Sequence, residues 1–471
     1  MKKRSREQSN GEATNPPNDE VSFFKHFLKM DHATFNAKYF EKKHLVCSHG
    51  SPDFFTKTSS FPPIQWTTEI MLKLAEEHEL FYGTDLNVVR FDKEKGCRVS
   101  FRTEGRATRQ ELEKCMKSGW SIRFLRPHEY VESNSAFISL MEKEFRCYCG
   151  LNSYWTPADS QGFAPHYDDV DVFLFQMEGE KVWRLYDPVD EVGVLTRHSS
   201  EDFQLEEYPT PKHSFTLKAG DVLYMPRGLV HQGVTNPGKH SLHVTFSANQ
   251  MHTWADLFER MTRYTIGELA ANNVEWRKTL PLELSSVVGG VWNPEFREMN
   301  LLPALTSGDA KKRVELLDRI REKTAELSVL LSDEVNIDVT TDEYMKNVVH
   351  KLQPPSKTYA HTLGEGDALE PDTPIRFLSQ GCCRLLMNVD GEAQLYHCGE
   401  NSPVCLKNEI GFFRFESVFA PAIATLLSRY PKYTKISSLP FPDSEDEEET
   451  KENQMILAEN LRDAGLLQKS S

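Results

Sequence analysis

Three residues of this chain have the types and the spacing of a metal site. His166 and Asp168 form a His-x-Asp pair, and His231 follows in a later apolar stretch. Two imidazoles and one carboxylate on one face of a metal ion leave open coordination positions, and this ligand set is typical of non-haem Fe(II) oxygenases. We therefore predict that His166, Asp168 and His231 bind one metal ion.

The elements around these residues decide how specific the pattern is, since a chain with 16 histidines and 70 acidic residues is expected to contain about one His-x-Asp pair by chance. Two segments rich in Val, Phe, Leu, Trp and Tyr flank Glu178-Gly179-Glu180 and predict a β-hairpin. Downstream, GDVLYMPRG predicts an apolar strand and a bend before His231, and SLHVTFS alternates like one more strand. Short antiparallel strands that bring early and late ligands together predict a jelly-roll barrel.

Lys181 is the second candidate for a chemical role. It lies on the strand predicted after Glu178-Gly179-Glu180, where alternation can turn its side chain into the barrel. A lysine inside a barrel requires an anion, and one interpretation is that it binds the distal carboxylate of 2-oxoglutarate. The other interpretation is a solvent-facing lysine on an edge strand, because isolated lysines are mostly exposed.

A family resemblance supports the first interpretation. The segments SQGFAPHYDDVDVFLFQMEGEKVWRLYDP, GDVLYMPRGLVHQG and SLHVTFS resemble the JmjC-type ribosomal oxygenases, which hydroxylate the β-carbon of a histidine in large-subunit ribosomal proteins. EGEKVWRLY and YGTDLNV are more similar to the Mina-like group than to the nucleolar sister group. The resemblance implies that His166, Asp168 and His231 bind Fe(II) and that Lys181 binds 2-oxoglutarate.

The resemblance also implies which residues hold the substrate. It assigns Asn152, Tyr154 and Ser247 to the imidazole of the target histidine and Thr245 to the 2-oxoglutarate pocket. The alternative for Asn152 and Tyr154 is a polar pair that satisfies backbone groups at a strand end, because buried polar groups are normally paired. A purely structural role for Ser247 also stays open.

Composition limits the possible partners and compartments. The net charge of −15 argues against a general or sequence-specific nucleic-acid binder and suits a basic partner, such as a ribosomal protein. Nine cysteines without metal-type or disulfide-type spacing indicate a reducing compartment. The sequence predicts neither a signal peptide nor a membrane span. Lys2, Lys3, Arg4 and Arg6 could direct the chain to the nucleus or nucleolus, and the alternative is a cytoplasmic protein with a solvated basic tail.

We expect a mixed α/β protein with several domains. Residues 1–20 are predicted to be a disordered tail, and residues 21–250 a JmjC catalytic domain with an N-terminal helical extension. Residues 251–346 have helical periodicity, and residues 347–471 predict a small α+β unit in which PDSEDEEET forms a disordered acidic loop. The resemblance implies that the helical region is a dimerisation domain of a homodimer and that the last domain is winged-helix-like.

Two other functions stay open from the sequence. A JmjC histone-lysine demethylase would use the same kind of iron site, although NSYWTP, EGEKVWRLY and HVTFS are more similar to the ribosomal oxygenases. A non-catalytic, cupin-like scaffold for ribosome assembly would keep the barrel without the chemistry. Such a scaffold has no need of His166, Asp168, His231 and Lys181 together.

Overall fold

The computed structural model describes residues 22–58, 61–92, 94–187, 193–204, 207–208, 210–289, 307–356, 358–359, 362–364, 366–388, 390–402, 404, 409–442, 444 and 446–470. The predicted disordered tail, with its basic residues, lies outside these ranges. The chain divides into two compact units, one formed by Met1–Met251 with Val348–Ser471 and the other by His252–Asn347. None of the described helices is both long enough and apolar enough to cross a membrane.

The described helices are α1 Phe23–Leu28, α2 His32–Lys38, α3 Thr68–Glu77, α4 Arg109–Lys117, α5 Glu132–Phe145, α6 Trp254–Asn272, α7 Leu284–Val287, α8 Ser307–Leu331, α9 Glu334–Lys351, α10 Ala420–Arg429 and α11 Glu447–Asp463. The described strands are β1 Leu45–Ser48, β2 Leu80–Phe81, β3 Leu86–Asp92, β4 Cys97–Ser100, β5 Arg106–Ala107, β6 Ser121–Leu125, β7 Gly150–Thr156, β8 Asp171–Tyr186, β9 His213–Lys218, β10 Asp221–Met225, β11 Val230–Val234, β12 Ser241–Ala248, β13 Pro374–Phe377, β14 Cys383–Met387, β15 Ala393–His397, β16 Phe412–Phe415, β17 Thr434–Lys435 and β18 Leu467–Lys469.

A ten-stranded antiparallel sheet dominates the described part of the first unit. Its strands follow the order β1-β10-β8-β12-β7-β6-β3-β4, and β9 and β11 also pair with β8. The first half of β8 pairs with β10 and β12, whereas its second half pairs with β9 and β11. One long strand shared by two sets of partners produces the jelly roll, and this confirms the predicted fold class.

The hairpin predicted at Glu178-Gly179-Glu180 is wrong, because β8 runs through these residues as one strand. Gly179 has a φ of +62°, and a side chain there would overlap the backbone carbonyl of His240. Glycine adopts this backbone conformation without the steric cost that other residues have. Gly179 therefore marks the place where β8 passes from one set of partners to the other.

The two faces of the large sheet bury different side chains. On the outer face, helices α1 to α5 pack against the sheet through an aromatic core that includes Phe27, Phe137, Phe173, Phe175 and Phe246. A smaller apolar cluster lines the inner face and includes Val172, Leu174, Trp183, Leu185 and Met225. Alternation along β8 explains the division, because successive side chains point to opposite faces of a strand. The N-terminal region thus covers the barrel and, through β1, β3, β4 and β6, extends its sheet.

The second unit is helical in its described part. Thr253 caps α6 in a reciprocal capping box with Asp256, which defines where the helix begins. Met261, Thr265 and Leu269 are buried, as their spacing predicts. Trp254, which the same spacing would place on the buried side, is instead 78% exposed.

The C-terminal part of the first unit contains two three-stranded sheets and the helices α10 and α11. Strands β14 and β15 pair antiparallel on either side of Asp390-Gly391. The predicted acidic loop is wrong from Asp446 onward, because Asp446 caps α11 by accepting from the backbone N–H groups of Glu448 and Glu449. Acidic residues in a first helical turn interact favourably with the helix dipole. Asp443 and Glu445 lie outside the described residues.

Helix α5 connects the catalytic barrel to the C-terminal part of the same unit. The buried carboxylate of Glu142 accepts a hydrogen bond from the backbone N–H of Gln353 at 2.7 Å. Its other oxygen accepts from the N–H of Cys149 at 3.4 Å, just before β7 begins. One side chain therefore links α5, β7 and the segment after α9.

Candidate metal centre and its pocket

His166 and His231 lie on neighbouring backbone segments. The N–H of His166 donates to the carbonyl of His231 at 3.2 Å, and the N–H of His231 donates to that of His166 at 2.9 Å. This reciprocal pairing places the two imidazole rings 4.6 Å apart. The N–H of Gly228 donates to the carbonyl of Asp168 at 2.9 Å, so the bend before His231 is bonded to the segment that carries the other two residues.

The ligand atoms of the three residues converge. One atom from each of His166, Asp168 and His231 lies within 4.8 Å of the other two. Nε2 of His166 is 4.0 Å from Asp168 Oδ1, and Nε2 of His231 is 3.7 Å from Oδ2. A divalent metal ion between them would join three donor atoms of the types that Fe(II) accepts.

Backbone carbonyls orient both imidazoles. Nδ1 of His166 lies 2.8 Å from the carbonyl of Ala164, and Nδ1 of His231 lies 2.9 Å from that of Leu229. A carbonyl only accepts, so the bond requires a proton on Nδ1 and leaves the Nε2 lone pair for a metal. Burial and the neighbouring His166 lower the pKa of His231 to about 4, so this imidazole is neutral near pH 7.

Lys181 lies inside the barrel, with 4% of its surface exposed. Its Nζ donates to Oγ1 of Thr156 at 3.1 Å and lies 5.4 Å from the ring centre of Trp183, which is itself 5.9 Å from the His231 ring. Burial lowers the pKa of Lys181 to about 7, and no carboxylate in the described ranges forms a salt bridge with it. This placement excludes a solvent-facing lysine and puts the amino group of Lys181 inside the barrel, one aromatic ring away from His231.

The predicted substrate residues lie on β7 and β12. In the antiparallel register Asn152 is opposite Thr245 and Gly150 is opposite Ser247. Alternate residues share one face of a strand, so Asn152 and Tyr154 are on one face of β7, and Thr245 and Ser247 are on one face of β12. The sheet therefore brings all four residues to the same side.

Tyr154 is connected to the metal centre through one aromatic ring. Its ring centre is 5.6 Å from that of Phe163, which is 6.0 Å from the ring of His166. Asn152 is placed differently, since its Oδ1 lies 3.4 Å from the backbone N–H of Arg126 and accepts from it. The alternative role predicted for Asn152, satisfying a backbone group, is thus present in the structure.

Two side chains of the pocket were missed by the sequence analysis. Thr156 accepts a hydrogen bond from Lys181 and lies on β7, two residues after Tyr154 and four after Asn152. The alternation of side chains along this strand predicts that all three residues share one face. The guanidinium of Arg123 lies 5.7 Å from the Tyr154 ring, and Arg123 is opposite Tyr154 in the register of β6 and β7. The pairing of β6 with β7 is a tertiary contact, for which the sequence carries no local signal.

Two parts of the chain match known domain families. Residues 124–257 match the family described as JmjC domain, and residues 339–471 match the family described as Ribosomal oxygenase 1, C-terminal winged helix domain. The first range contains every residue that the sequence analysis assigned to the metal and the pocket. The second confirms the winged-helix character expected for the C-terminal part.

Curated relatives match over most of the chain. A protein of Drosophila mojavensis named bifunctional lysine-specific demethylase and histidyl-hydroxylase NO66 is 32% identical over 413 residues, which are 86% of this chain and 42% of that protein. Ribosomal oxygenase 1 of Danio rerio is 31% identical over 443 residues, or 91% of this chain and 75% of that protein. This chain spans 42%, 51% and 61% of the length of three NO66 relatives.

A solved structure shows a weaker likeness. It is YcfD, a ribosomal oxygenase from Escherichia coli, in complex with cobalt and 2-oxoglutarate. The TM-score is 0.47 at 16% identity, with 94% of this chain and 99% of that chain covered.

These matches correct one expectation and confirm another. The relatives bear the names NO66 and Ribosomal oxygenase 1, so the predicted closeness to the Mina-like group is not supported. The chain belongs to the ribosomal oxygenase family of JmjC-domain enzymes, which use Fe(II) and 2-oxoglutarate.

Proposed function

We propose that this protein is an Fe(II)- and 2-oxoglutarate-dependent oxygenase that hydroxylates the β-carbon of a histidine in a large-subunit ribosomal protein. The observation that carries the proposal is the cluster of His166, Asp168 and His231 beside the buried Lys181. The names of the relatives, histidyl-hydroxylase and Ribosomal oxygenase 1, support the same reaction class.

In this proposal the pocket residues divide into two groups. His166, Asp168 and His231 hold Fe(II), which with 2-oxoglutarate and oxygen supplies the oxidising chemistry. Lys181 and Thr156 bind the distal carboxylate of 2-oxoglutarate, because an ammonium and a hydroxyl can both donate to it. Thr245, on the neighbouring strand, contributes to the same pocket.

The second group orients the substrate. Asn152, Tyr154 and Ser247 carry an amide, a phenol and a hydroxyl, each of which can hydrogen bond to an imidazole nitrogen. Their task is to fix one C–H bond of the substrate histidine toward the metal, since small errors of orientation reduce reaction rates strongly. Arg123 supports Tyr154 through its contact with the ring.

The remaining regions have proposed roles in assembly and location. We assign residues 21–250 to catalysis, residues 251–346 to homodimerisation and residues 347–471 to the winged-helix domain, without sequence-specific binding of nucleic acid. The net charge of −15 favours encounter with a basic ribosomal protein. Such a substrate is consistent with action in the nucleus or nucleolus.

A second candidate function is lysine demethylation, because the NO66 relatives are named for both activities. It would use the same iron and 2-oxoglutarate site. The two candidates differ in the side chain that Asn152, Tyr154 and Ser247 bind, so substrate competition separates them.

Mass spectrometry of ribosomal proteins tests the main proposal. The purified protein, supplied with Fe(II), 2-oxoglutarate and unmodified large-subunit proteins, is expected to add the mass of one oxygen atom to a histidine peptide. Asp168→Ala should abolish both this product and succinate formation, because it removes one of the three metal ligands. Unchanged succinate formation in Asp168→Ala would refute the metal assignment.

A further inference from the structure

A buried ion pair joins the two segments that carry the metal donors. Asp171, the first residue of β8, lies three positions after Asp168, and its side chain is fully buried. Arg227 lies four positions before His231, in the bend between β10 and β11, and is 8% exposed. Nη1 of Arg227 is 3.1 Å from Oδ2 of Asp171, and the backbone N–H of Arg227 donates to Oδ1 at 3.3 Å.

The same carboxylate contacts two further strands. Nδ2 of Asn249 donates to Oδ2 of Asp171 at 2.8 Å, and the hydroxyl of Tyr224 donates to Oδ1 at 3.2 Å. Asn249 directly follows β12, and Tyr224 belongs to β10. Asp171 therefore holds together the ends of β8, β10 and β12, three positions along the chain from the metal donor Asp168.

Two contacts join the chain segments that carry Asp168 and His231. The backbone bond from Gly228 to Asp168 and the ion pair from Arg227 to Asp171 are consecutive links between the same two segments. A buried charge that loses its partner is strongly unfavourable, so the segments must shift when one member of the pair is removed. Such a shift changes the 3.7 Å separation of His231 Nε2 and Asp168 Oδ2.

We propose that Asp171 and Arg227 are positioning residues of the metal centre, whose ion pair fixes Asp168 relative to His231 and thereby sets metal affinity and coordination geometry. The inference rests on the metal site of the proposed function. Residues that orient ligands from outside the coordination sphere typically change metal affinity by about 10- to 100-fold when they are replaced.

Co(II) binding to the full-length protein tests this inference. Affinity is measured by calorimetry, and coordination geometry by the visible absorption of Co(II) at saturation, for wild type, Asp171→Asn and Arg227→Lys. Asp171→Asn removes the negative charge and keeps the shape of the side chain, whereas Arg227→Lys keeps the positive charge and loses the forked geometry of the guanidinium. If one variant fails to fold, the other still tests the inference.

Matched controls isolate the effect of this pair. Asp169→Asn makes the same chemical change two positions earlier, at a partly exposed carboxylate that accepts hydrogen bonds from Ser199 and Gln250. Glu41 forms a second ion pair with Arg227, in which Oε1 of Glu41 is 2.7 Å from Nη2 of Arg227. Glu41→Gln removes this second charge and leaves Asp171 in place. Both controls should keep the wild-type affinity and absorption spectrum.

The expected result is that Asp171→Asn and Arg227→Lys bind Co(II) about 10- to 100-fold more weakly and with an altered spectrum. A lowered melting temperature with wild-type affinity and spectrum would show a merely structural pair and overturn the inference. If His166→Ala bound Co(II) as wild type does, the metal assignment would be overturned and this inference with it.

Discussion

The ammonium group of Lys181 donates to the hydroxyl of Thr156 across 3.1 Å, and this contact joins β8 to β7 inside the barrel. Replacing Lys181 by alanine is expected to raise the 2-oxoglutarate concentration needed for half-maximal turnover by about 100-fold or more. The reason is that breaking a buried ion pair costs about 3–5 kcal/mol. Succinate formation as a function of 2-oxoglutarate concentration measures the effect, and Co(II) affinity should be unchanged.

Two variants control for this effect. Thr156→Val removes one hydrogen bond worth about 0.5–1.5 kcal/mol, so its 2-oxoglutarate requirement should rise by about tenfold at most. Lys218→Ala removes an exposed lysine of β9 and should have no effect. A wild-type requirement in Lys181→Ala would place the carboxylate of 2-oxoglutarate elsewhere.

The choice between histidine and lysine substrates depends on Asn152, Tyr154 and Ser247. Peptide oxidation should fall at least about tenfold in Asn152→Ala, because the substrate imidazole loses one of the polar contacts that orient it. The affinities for Co(II) and 2-oxoglutarate should stay near wild type. Replacing the target histidine of the peptide by alanine should abolish turnover. Efficient formaldehyde release from methyl-lysine peptides, without oxidation of histidine peptides, would instead favour the demethylase.

The helical unit is predicted to hold two chains together. Phe258 and Ile266 of α6 are 49% and 39% exposed, and such apolar side chains are often covered in two-fold dimers. Light scattering should show a dimer at micromolar concentration for wild type and a monomer for Ile266→Asp. Gly267→Asp introduces the same residue next to it, where a side chain would meet open space, and should remain dimeric. A monomeric wild type would reject the prediction.

His128 gives the protein a predicted sensitivity to acid. It is 2% exposed, neither ring nitrogen has a hydrogen-bond partner among the described residues, and burial lowers its pKa to about 4. In the unfolded chain His128 takes up a proton near pH 6.5, whereas in the folded protein it does so only near pH 4. The neutral, buried His128 therefore costs no stability above pH 6.5, and the free energy of unfolding decreases as the pH falls from 6.5 toward 4. The loss over that interval approaches about 3 kcal/mol.

Urea unfolding at several pH values measures this contribution. His128→Leu should lose less free energy of unfolding than wild type between pH 6.5 and 4, by up to about 3 kcal/mol, because the titrating group is gone. His198→Leu, which removes an exposed histidine, should keep the wild-type pH dependence. Parallel pH profiles for wild type and His128→Leu would contradict the assignment of the acid sensitivity to His128.

Local patterns in the sequence predicted the centre of the site. The spacing of His166, Asp168 and His231 and the alternation that turns Lys181 inward are properties of short segments, and the structure brings these residues together. The sequence predicts a hairpin turn at Gly179, whereas the structure has a continuous strand in which this glycine has a positive φ and lies against the carbonyl of His240, a residue distant in sequence. The position of Arg123 beside Tyr154 depends in the same way on strand pairing.

The acidic segment shows the opposite kind of error. Its high charge predicts a disordered loop, yet Asp446 caps α11 and the next three glutamates lie in the first turn of that helix. The capping interaction is local and could have been recognised from the sequence. Charge density alone does not distinguish a solvated loop from a helix start.

The bond between Glu142 and Gln353 spans 211 positions of the chain and has a consequence for the order of folding. The unit that contains the barrel is discontinuous in sequence, since it resumes only at Val348. During synthesis, the buried carboxylate of Glu142 on α5 can therefore accept its second backbone hydrogen bond only after Gln353, in the last quarter of the chain, has been made. Contacts between residues so distant in sequence slow folding, so the bond between Glu142 and Gln353 is expected to form only after the strands of the barrel have been synthesised.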